Sequence, residues 1–176
     1  MHHFRATAAI TLALTLAAAG SVGAQDKYLD WGTVEFNRER GLTTAVVAGP
    51  ADSVWRVLES VMEGTGVKIA IDEPTTGRIG NQRFRAVRRL GKEPLSRLFS
   101  CGNGMTGPNA DSYHVFIGFV AAITPAAGNR TRLQLQVTAE AIDVPGGRSE
   151  RIGCFTTGRL EYGVIERLDA AFPGTR

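Results

Sequence analysis

Two stretches in the second half of the chain alternate between apolar and polar side chains with a period of two, which is typical of β-strands. Residues 131–142 separate apolar from polar side chains cleanly, so this strand is predicted to have one buried and one wet face. Residues 112–124 are largely apolar on both faces, which predicts a central strand covered on both sides along part of its length. The short turn between them, at residues 125–129, favours antiparallel pairing.

The first half of the chain predicts a strand followed by a helix. Residues 42–48 are rich in β-branched side chains, and residues 51–62 repeat apolar side chains at helical spacing. Asp52 or Ser53 would cap the helix by accepting a hydrogen bond from a free backbone N–H. The glycines of Gly64-Thr65-Gly66 would end it.

Shorter elements follow this helix. Residues 67–71 alternate as a strand, residues 74–77 form a turn, and a third strand is predicted over about residues 80–90. Residues 94–99 predict a short helical turn. Residues 144–151 are rich in proline and glycine and are predicted to be a loop.

A second long helix is predicted over residues 158–172, capped by Thr156 or Thr157. Gly163 would let this helix lie close against the sheet. Its predicted buried stripe consists of Leu160, Val164, Leu168, Ala171 and Phe172.

These elements predict an α+β domain of order β-α-β-β-β-β-α, whose antiparallel sheet packs in a helix-grip-like manner on the C-terminal helix. Residues 41–176 would form this single domain. The aromatic-rich residues 25–40 are either a short edge strand or a lead-in that packs over the core.

Residues 1–24 have the composition of a secretory signal peptide. A basic start containing Arg5 precedes an apolar segment over residues 8–19, and Val22-Gly23-Ala24 suits cleavage before Gln25. No cysteine lies at that position, which argues against a lipid anchor. No later segment is apolar and long enough to cross a membrane. We therefore expect a periplasmic or secreted protein.

The mature chain has two cysteines, Cys101 and Cys154. An even count in an exported chain predicts a disulfide between them, which would stabilise the fold by about 4 kcal/mol in the chain-entropy treatment. The alternative is that Cys101 is a nucleophile with His114 as its base.

The segment that follows Cys101 spells the dinucleotide-binding letters G-x-G-x-x-G at Gly102, Gly104 and Gly107. A true fingerprint lies between a strand and a long helix whose N-terminus holds the pyrophosphate. Here Pro108 follows the last glycine, and a strand pattern comes next. We interpret the segment as a turn-rich surface loop anchored by the disulfide.

Basic side chains are concentrated in one segment. Without Arg5 the chain has 19 Lys and Arg against 17 Asp and Glu, a balance that indicates no nucleic-acid partner. Within residues 78–97, seven basic side chains accompany Glu93 as the one acidic side chain. They are Arg78, Arg83, Arg85, Arg88, Arg89, Lys92 and Arg97.

An ideal strand would place Arg83 and Arg85 on one face, and Arg88 would then turn inward unless the strand ends near Val87. Planar guanidinium groups suit carboxylate and phosphate ligands. The segment, with Arg89, therefore predicts an anion-binding face for lipid headgroups, an acidic polysaccharide or an acidic protein. The alternative is a solvated strand face that discourages edge-to-edge aggregation.

No pattern of catalytic or metal-binding residues stands out in the sequence. The mature chain has a single histidine, lacks G-x-S-x-G and lacks metal-ligand spacing, so we predict no catalytic residue, metal or cofactor. Tyr113 and His114 are candidates for ligand binding. The alternative is a small hydrolase-like enzyme with a cleft near Tyr113, His114 and Asp111.

The run from Thr44 to Leu58, TAVVAGPADSVWRVL, resembles the opening of helix-grip domains. The START and polyketide-cyclase superfamily often opens with such a strand, a proline-alanine turn and a helix carrying Val-Trp and Leu. With Gly66-Val67-Lys68-Ile69, Asp72 and Gly77 added, the segment is also similar to the repeats of BamC, an outer-membrane assembly lipoprotein. The resemblance covers about residues 42–90. It implies a binding or scaffold role more often than catalysis, by analogy.

The sequence therefore predicts a non-enzymatic binding or envelope-accessory module. Its ligand would be an apolar or amphipathic molecule, such as a lipid, held between helix and sheet, or an anionic envelope component held by the arginines. A buried cavity would favour the first ligand, and a solid core with exposed arginines the second. A purely structural accessory of an envelope complex is a further alternative.

Overall fold

The computed structural model describes residues 41–147 and 149–173, together with the backbone of Tyr28–Asp30 and Glu35–Asn37. The predicted signal peptide and the rest of residues 25–40 lie outside this description. The strands are β1 Tyr28–Asp30, β2 Glu35–Asn37, β3 Leu42–Ala48, β4 Ile71–Glu73, β5 Arg78–Val87, β6 Arg89–Leu90, β7 Glu93–Pro94, β8 Phe99–Ser100, β9 Asn103–Gly104, β10 Gly107–Pro108, β11 His114–Ala126, β12 Arg130–Ile142 and β13 Arg151–Thr156. The helices are α1 Ala51–Thr65, α2 Leu95–Leu98, α3 Asn109–Ser112 and α4 Arg159–Ala171.

The main sheet is antiparallel at every strand pairing of the described residues. Its strands run in the order β1-β2-β3-β12-β11-β5-β6-β7, with β11 and β12 paired along their whole length at the centre. β3 pairs with the first half of β12, and β13 pairs with the second half on the same side. The short strands β1 and β2 extend the edge beyond β3.

The two long helices cover one face of this sheet. α4 packs against α1 and β3, and α1 also contacts β11 and β12. Alternate side chains of β11 and β12 point into the core beneath them, as the alternation predicted. The α+β class and the packing of the C-terminal helix on an antiparallel sheet are thus confirmed. The helical residues buried in this core include Val54, Leu58, Met62, Leu160, Val164 and Leu168.

The helix ends differ from the predicted caps. Pro50 and Gly158 occupy the N-cap positions of α1 and α4, and neither helix has a side-chain hydrogen bond from its N-cap residue. The prediction of Asp52 or Ser53 as the cap of α1 is wrong, because the helix already begins at Ala51, directly after proline. Gly66, in the left-handed region at φ 88°, ends α1.

One charged side chain, Glu161 in the first turn of α4, is fully buried. Its carboxylate accepts hydrogen bonds from the Thr156 hydroxyl at 2.8 and 3.0 Å. Burial raises the pKa of this carboxyl, and hydrogen bonds from its own backbone and from Thr156 oppose the rise. Ala171, predicted in the buried stripe, is instead exposed, while Phe172 is half-buried against the core.

The Cys101–Cys154 disulfide is present, with 4.3 Å between the Cα atoms. β8 pairs with β13 through Phe155 opposite Ser100 and Thr156 opposite Phe99, so the two cysteines continue this register. β13 itself was not predicted from the sequence. It ties the end of β12 to the segment that enters the glycine-rich loop.

The glycine-rich loop is a hairpin of β9 and β10, followed by the single helical turn α3. Gly104 pairs with Gly107, which leaves Met105 fully exposed at the tip. Asn109 holds the base, because its backbone N–H donates to the Gly102 carbonyl at 3.0 Å. No long helix follows these glycines, so the G-x-G-x-x-G motif does not form a dinucleotide-binding site.

Candidate anion-binding face

The face of the sheet opposite the helices carries the predicted arginines. Arg83 and Arg85 are exposed on it, while Phe84 and Ala86 point into the core, as predicted. The strand ends at Val87, and Arg88 adopts φ 62°, which turns the chain into β6 and keeps the Arg88 side chain exposed.

The strand register places further side chains beside these arginines. Arg85 lies opposite Phe116 of β11, and Phe116 lies opposite Glu140 of β12. Arg151 of β13 is two residues from Gly153, the partner of Glu140. We call the group of Arg83, Arg85, Phe116, Glu140 and Arg151 the arginine face.

A β-bulge positions Arg83 within this face. Ile117 pairs with Phe84 but Phe119 pairs with Asn81, so β5 has one extra residue opposite Gly118. The Asn81 side-chain oxygen accepts the Arg83 backbone N–H at 2.9 Å, which satisfies a donor that the bulge removes from the ladder.

The Arg83 side chain is held by two contacts. Its guanidinium carbon lies 4.3 Å from the centroid of the Phe116 ring, a cation–π arrangement. Its Nη1 also pairs with Glu140 Oε1, which accepts a second bond from Arg151 Nη1 at 3.3 Å. Exposed ion pairs contribute only ~0–1 kcal/mol each, so this network fixes orientation more than it stabilises the fold.

The neighbouring Arg85 is in a different situation. Within the described residues it has no carboxylate partner and no hydrogen bond from its guanidinium group. The arginine face therefore has three guanidinium groups and one carboxylate, and the charge of Arg85 remains available.

Arg88, Arg89 and Lys92 extend the positive charge along the hairpin of β6 and β7, which we call the basic hairpin (residues 88–94). The Arg88 carbonyl accepts the Leu95 backbone N–H at 2.9 Å, and Arg89 Nη1 donates to the Lys92 carbonyl at 2.7 Å. None of the three cations forms an ion pair with a described carboxylate. Arg78 and Arg97, in contrast, pair with Glu73 at 3.9 Å and Glu93 at 3.6 Å.

The structure does not assemble the alternative enzymatic site. Asp111 Oδ1 accepts the Ser96 backbone N–H at 2.8 Å and so links α3 to the start of α2. Tyr113 packs partly against the core, and His114 lies between Val87 and Ile142 in the strand ladder. No hydrogen bond or ion pair joins His114 to a carboxylate in the described part of the chain. Cys101 is in the disulfide and is not a free nucleophile.

In the described part of the chain, large apolar side chains occupy the space between the sheet and the helices. Phe119, Leu58, Ile117 and Leu168 are 0% exposed at the centre of the core. Surface grooves lie outside it, among them one of about 750 Å³ beside Trp55 and one of about 610 Å³ beside Gly163. Among the residues described, no cluster of His, Cys, Asp and Glu could hold a metal ion.

Comparison with protein-family models gives no match to the chain, and a search of curated proteins gives no similar sequence. None of the described helices has the length and hydropathy to cross a membrane.

Sequence reasoning missed three members of the arginine face. Phe116 and Glu140 fall at outward positions of their strands. The alternation of side chains would therefore place them near Arg85 if the pairing of β5, β11 and β12 were known. Arg151 was assigned to a loop because β13 was not recognised.

Proposed function

We propose that this protein is a non-enzymatic exported binding module whose arginine face and basic hairpin bind an anionic component of the bacterial envelope. The observation that carries the proposal is the set of four exposed cations without a carboxylate partner among the described residues: Arg85, Arg88, Arg89 and Lys92. The filled core disfavours the other ligand considered, an apolar molecule between sheet and helix.

The arrangement suits recognition of carboxylate, sulfate or phosphate groups. A guanidinium group can donate two parallel hydrogen bonds to such an anion. Arg85 lies opposite Phe116 in the strand register, and the ring of Phe116 orients the neighbouring Arg83 guanidinium, so two cations lie side by side on this face. Because Glu140 holds Arg83 and Arg151, their side chains lose less conformational entropy when a ligand arrives.

Export and a relation to helix-grip domains belong to the same proposal. The disulfide supports an oxidising compartment, and the signal-like residues 1–24 support the periplasm or the outside of the cell. The resemblance over residues 42–90 supports a binding or scaffold role by analogy alone.

The test is a binding panel with the mature, oxidised protein. Phosphatidylglycerol vesicles, polygalacturonate and polyglutamate are the anionic probes; phosphatidylcholine vesicles and dextran are the neutral ones. We expect binding to at least one anionic probe, weakening with added salt because exposed charges are screened, and no binding to the neutral probes. Equal binding to a charged probe and its neutral counterpart would refute the proposal.

A further inference from the structure

The groove beside Gly163 is formed mainly by helices, whereas the arginine face lies on the strand surface that the long helices leave uncovered. The walls of the groove come from the end of α1, the basic hairpin, α2 and α4. Leu90, Leu98 and Leu160 form an apolar floor, and Tyr162, which is 43% exposed, stands at its side. Its volume of about 610 Å³ lies within the range of small-molecule sites.

Gly163 has no packing role that explains it. A Cβ atom added at this position would have no neighbouring atom within 4 Å, so the prediction that Gly163 allows close approach to the sheet is wrong. Glycine in a helix interior is unfavourable relative to alanine, because it loses more backbone entropy on folding. The consequence of glycine here is an open groove, since any side chain at residue 163 would project into it.

The charges around the groove favour an anion. Lys92, Arg159 and Arg167 line it, and none of them forms an ion pair with a described carboxylate. Of the two acidic side chains in the lining, Glu93 is paired with Arg97 outside the groove, at 3.6 Å, while Glu166 has no such partner. Three unpaired cations therefore face one unpaired carboxylate.

We propose that this groove binds a small anionic amphiphile, with its apolar body on the leucine floor beside Gly163 and its acidic group at Arg159, Arg167 and Lys92. The shared chemistry is an acyl or alkyl chain that ends in a carboxylate or phosphate. A free fatty acid and a phosphorylated lipid fragment are two sources of it. The proposal does not depend on the arginine face, because no side chain of that face lines the groove; the basic hairpin contributes Leu90 and Lys92 to it.

The experiment compares defined probes by titration calorimetry below their micelle concentrations, with dodecanoate and dodecyl phosphate as the two anionic arms. Dodecanol tests the need for charge, and acetate tests the need for the chain. We expect single-site binding of at least one anionic arm, and binding of dodecanol and acetate that is at least about tenfold weaker. No saturable binding of either anionic arm, or equal binding of dodecanol, would overturn the proposal.

Variants at residue 163 locate the site. Gly163→Leu should fill the groove and weaken binding at least about tenfold, whereas Gly163→Ala makes a similar change in helix propensity and should leave affinity within about twofold. Thermal unfolding checks that both variants fold at least as stably as the native chain. Arg167→Gln should weaken binding of the anionic arms, and Arg56→Gln, on the outer side of α1, should not. Equal affinity of Gly163→Leu and Gly163→Ala would overturn the placement.

Discussion

Removing the Cys101–Cys154 disulfide should destabilise the whole domain. The bond joins residues separated by 53 positions, and the enclosed chain contains both central strands, β11 and β12. A loop of this length costs about 4 kcal/mol more conformational entropy to order when it is not cross-linked. We therefore expect Cys101→Ala/Cys154→Ala to lose about 4 kcal/mol of unfolding free energy.

For a mature chain of this size, that loss corresponds to a melting temperature lower by about 8–16 °C. Urea unfolding followed by circular dichroism would give the free energy directly. The double variant should be insensitive to reductant, and the native chain under reductant should fall to about the stability of the double variant. This agreement separates the effect of the cross-link from that of the alanine side chains.

A loss below about 1 kcal/mol would refute the reasoning, because the cross-link would then restrict the unfolded chain far less than its loop length requires. A loss confined to the hairpin after Cys101, seen as faster amide exchange there with unchanged global stability, would also refute it. The bond would in that case anchor a loop and not the domain.

Three further changes probe the packing. Glu161→Gln should raise the free energy of unfolding at neutral pH. The pKa of Glu161 in the folded chain is above its ordinary value near 4.5, so the stability of the native protein falls as pH rises from about that value through the raised pKa. Urea unfolding at a series of pH values should show this fall for the native protein and not for the variant. Asp111→Ala should destabilise by about 1 kcal/mol in the same assay, because the Ser96 backbone N–H loses its acceptor; no change would show that water replaces the carboxylate. Gly118→Ala should lower the melting temperature, since its Cβ would lie 2.7 Å from the Gln82 carbonyl oxygen in the bulge; an unchanged value would mean that the bulge relaxes freely.

Elements with a strong local signal were predictable from the sequence. The clean alternation of β12 and the two-sided apolar pattern of β11 gave both central strands, and the glycines after residue 63 marked the end of α1. The end of β5 near Val87 was also foreseen, because Arg88 would otherwise have been buried.

Features that depend on distant partners were not predictable. Arg83 pairs with Glu140, 57 residues away, and no local pattern encodes the register that brings them together. β13 is short and only its last residue is buried, so it resembled a loop. The burial of Glu161 was not predicted either, because charged side chains are usually exposed and its partner Thr156 lies in the unrecognised strand β13.

The role of Gly163 shows the same limit. Sequence alone allows two interpretations of a helical glycine, namely close packing or open space, and only the neighbours of its Cα atom decide between them. Here the space is open, so the residue is better explained by the groove than by the core.

The most direct test of anion binding by the arginine face compares two triple variants of equal net charge. Arg85→Gln/Arg88→Gln/Arg89→Gln removes exposed cations of the proposed site. Its control is Arg56→Gln/Arg130→Gln/Arg132→Gln, which replaces three exposed arginines elsewhere. Arg132 lies opposite Thr124, eight residues along β11 from the partner of Arg85, which is roughly 27 Å at about 3.4 Å per residue. On the anionic probe that binds the native protein, we predict at least about a tenfold loss of affinity for the first variant and a much smaller loss for the control. Equal losses would show that binding follows net charge, which would contradict a site on this face.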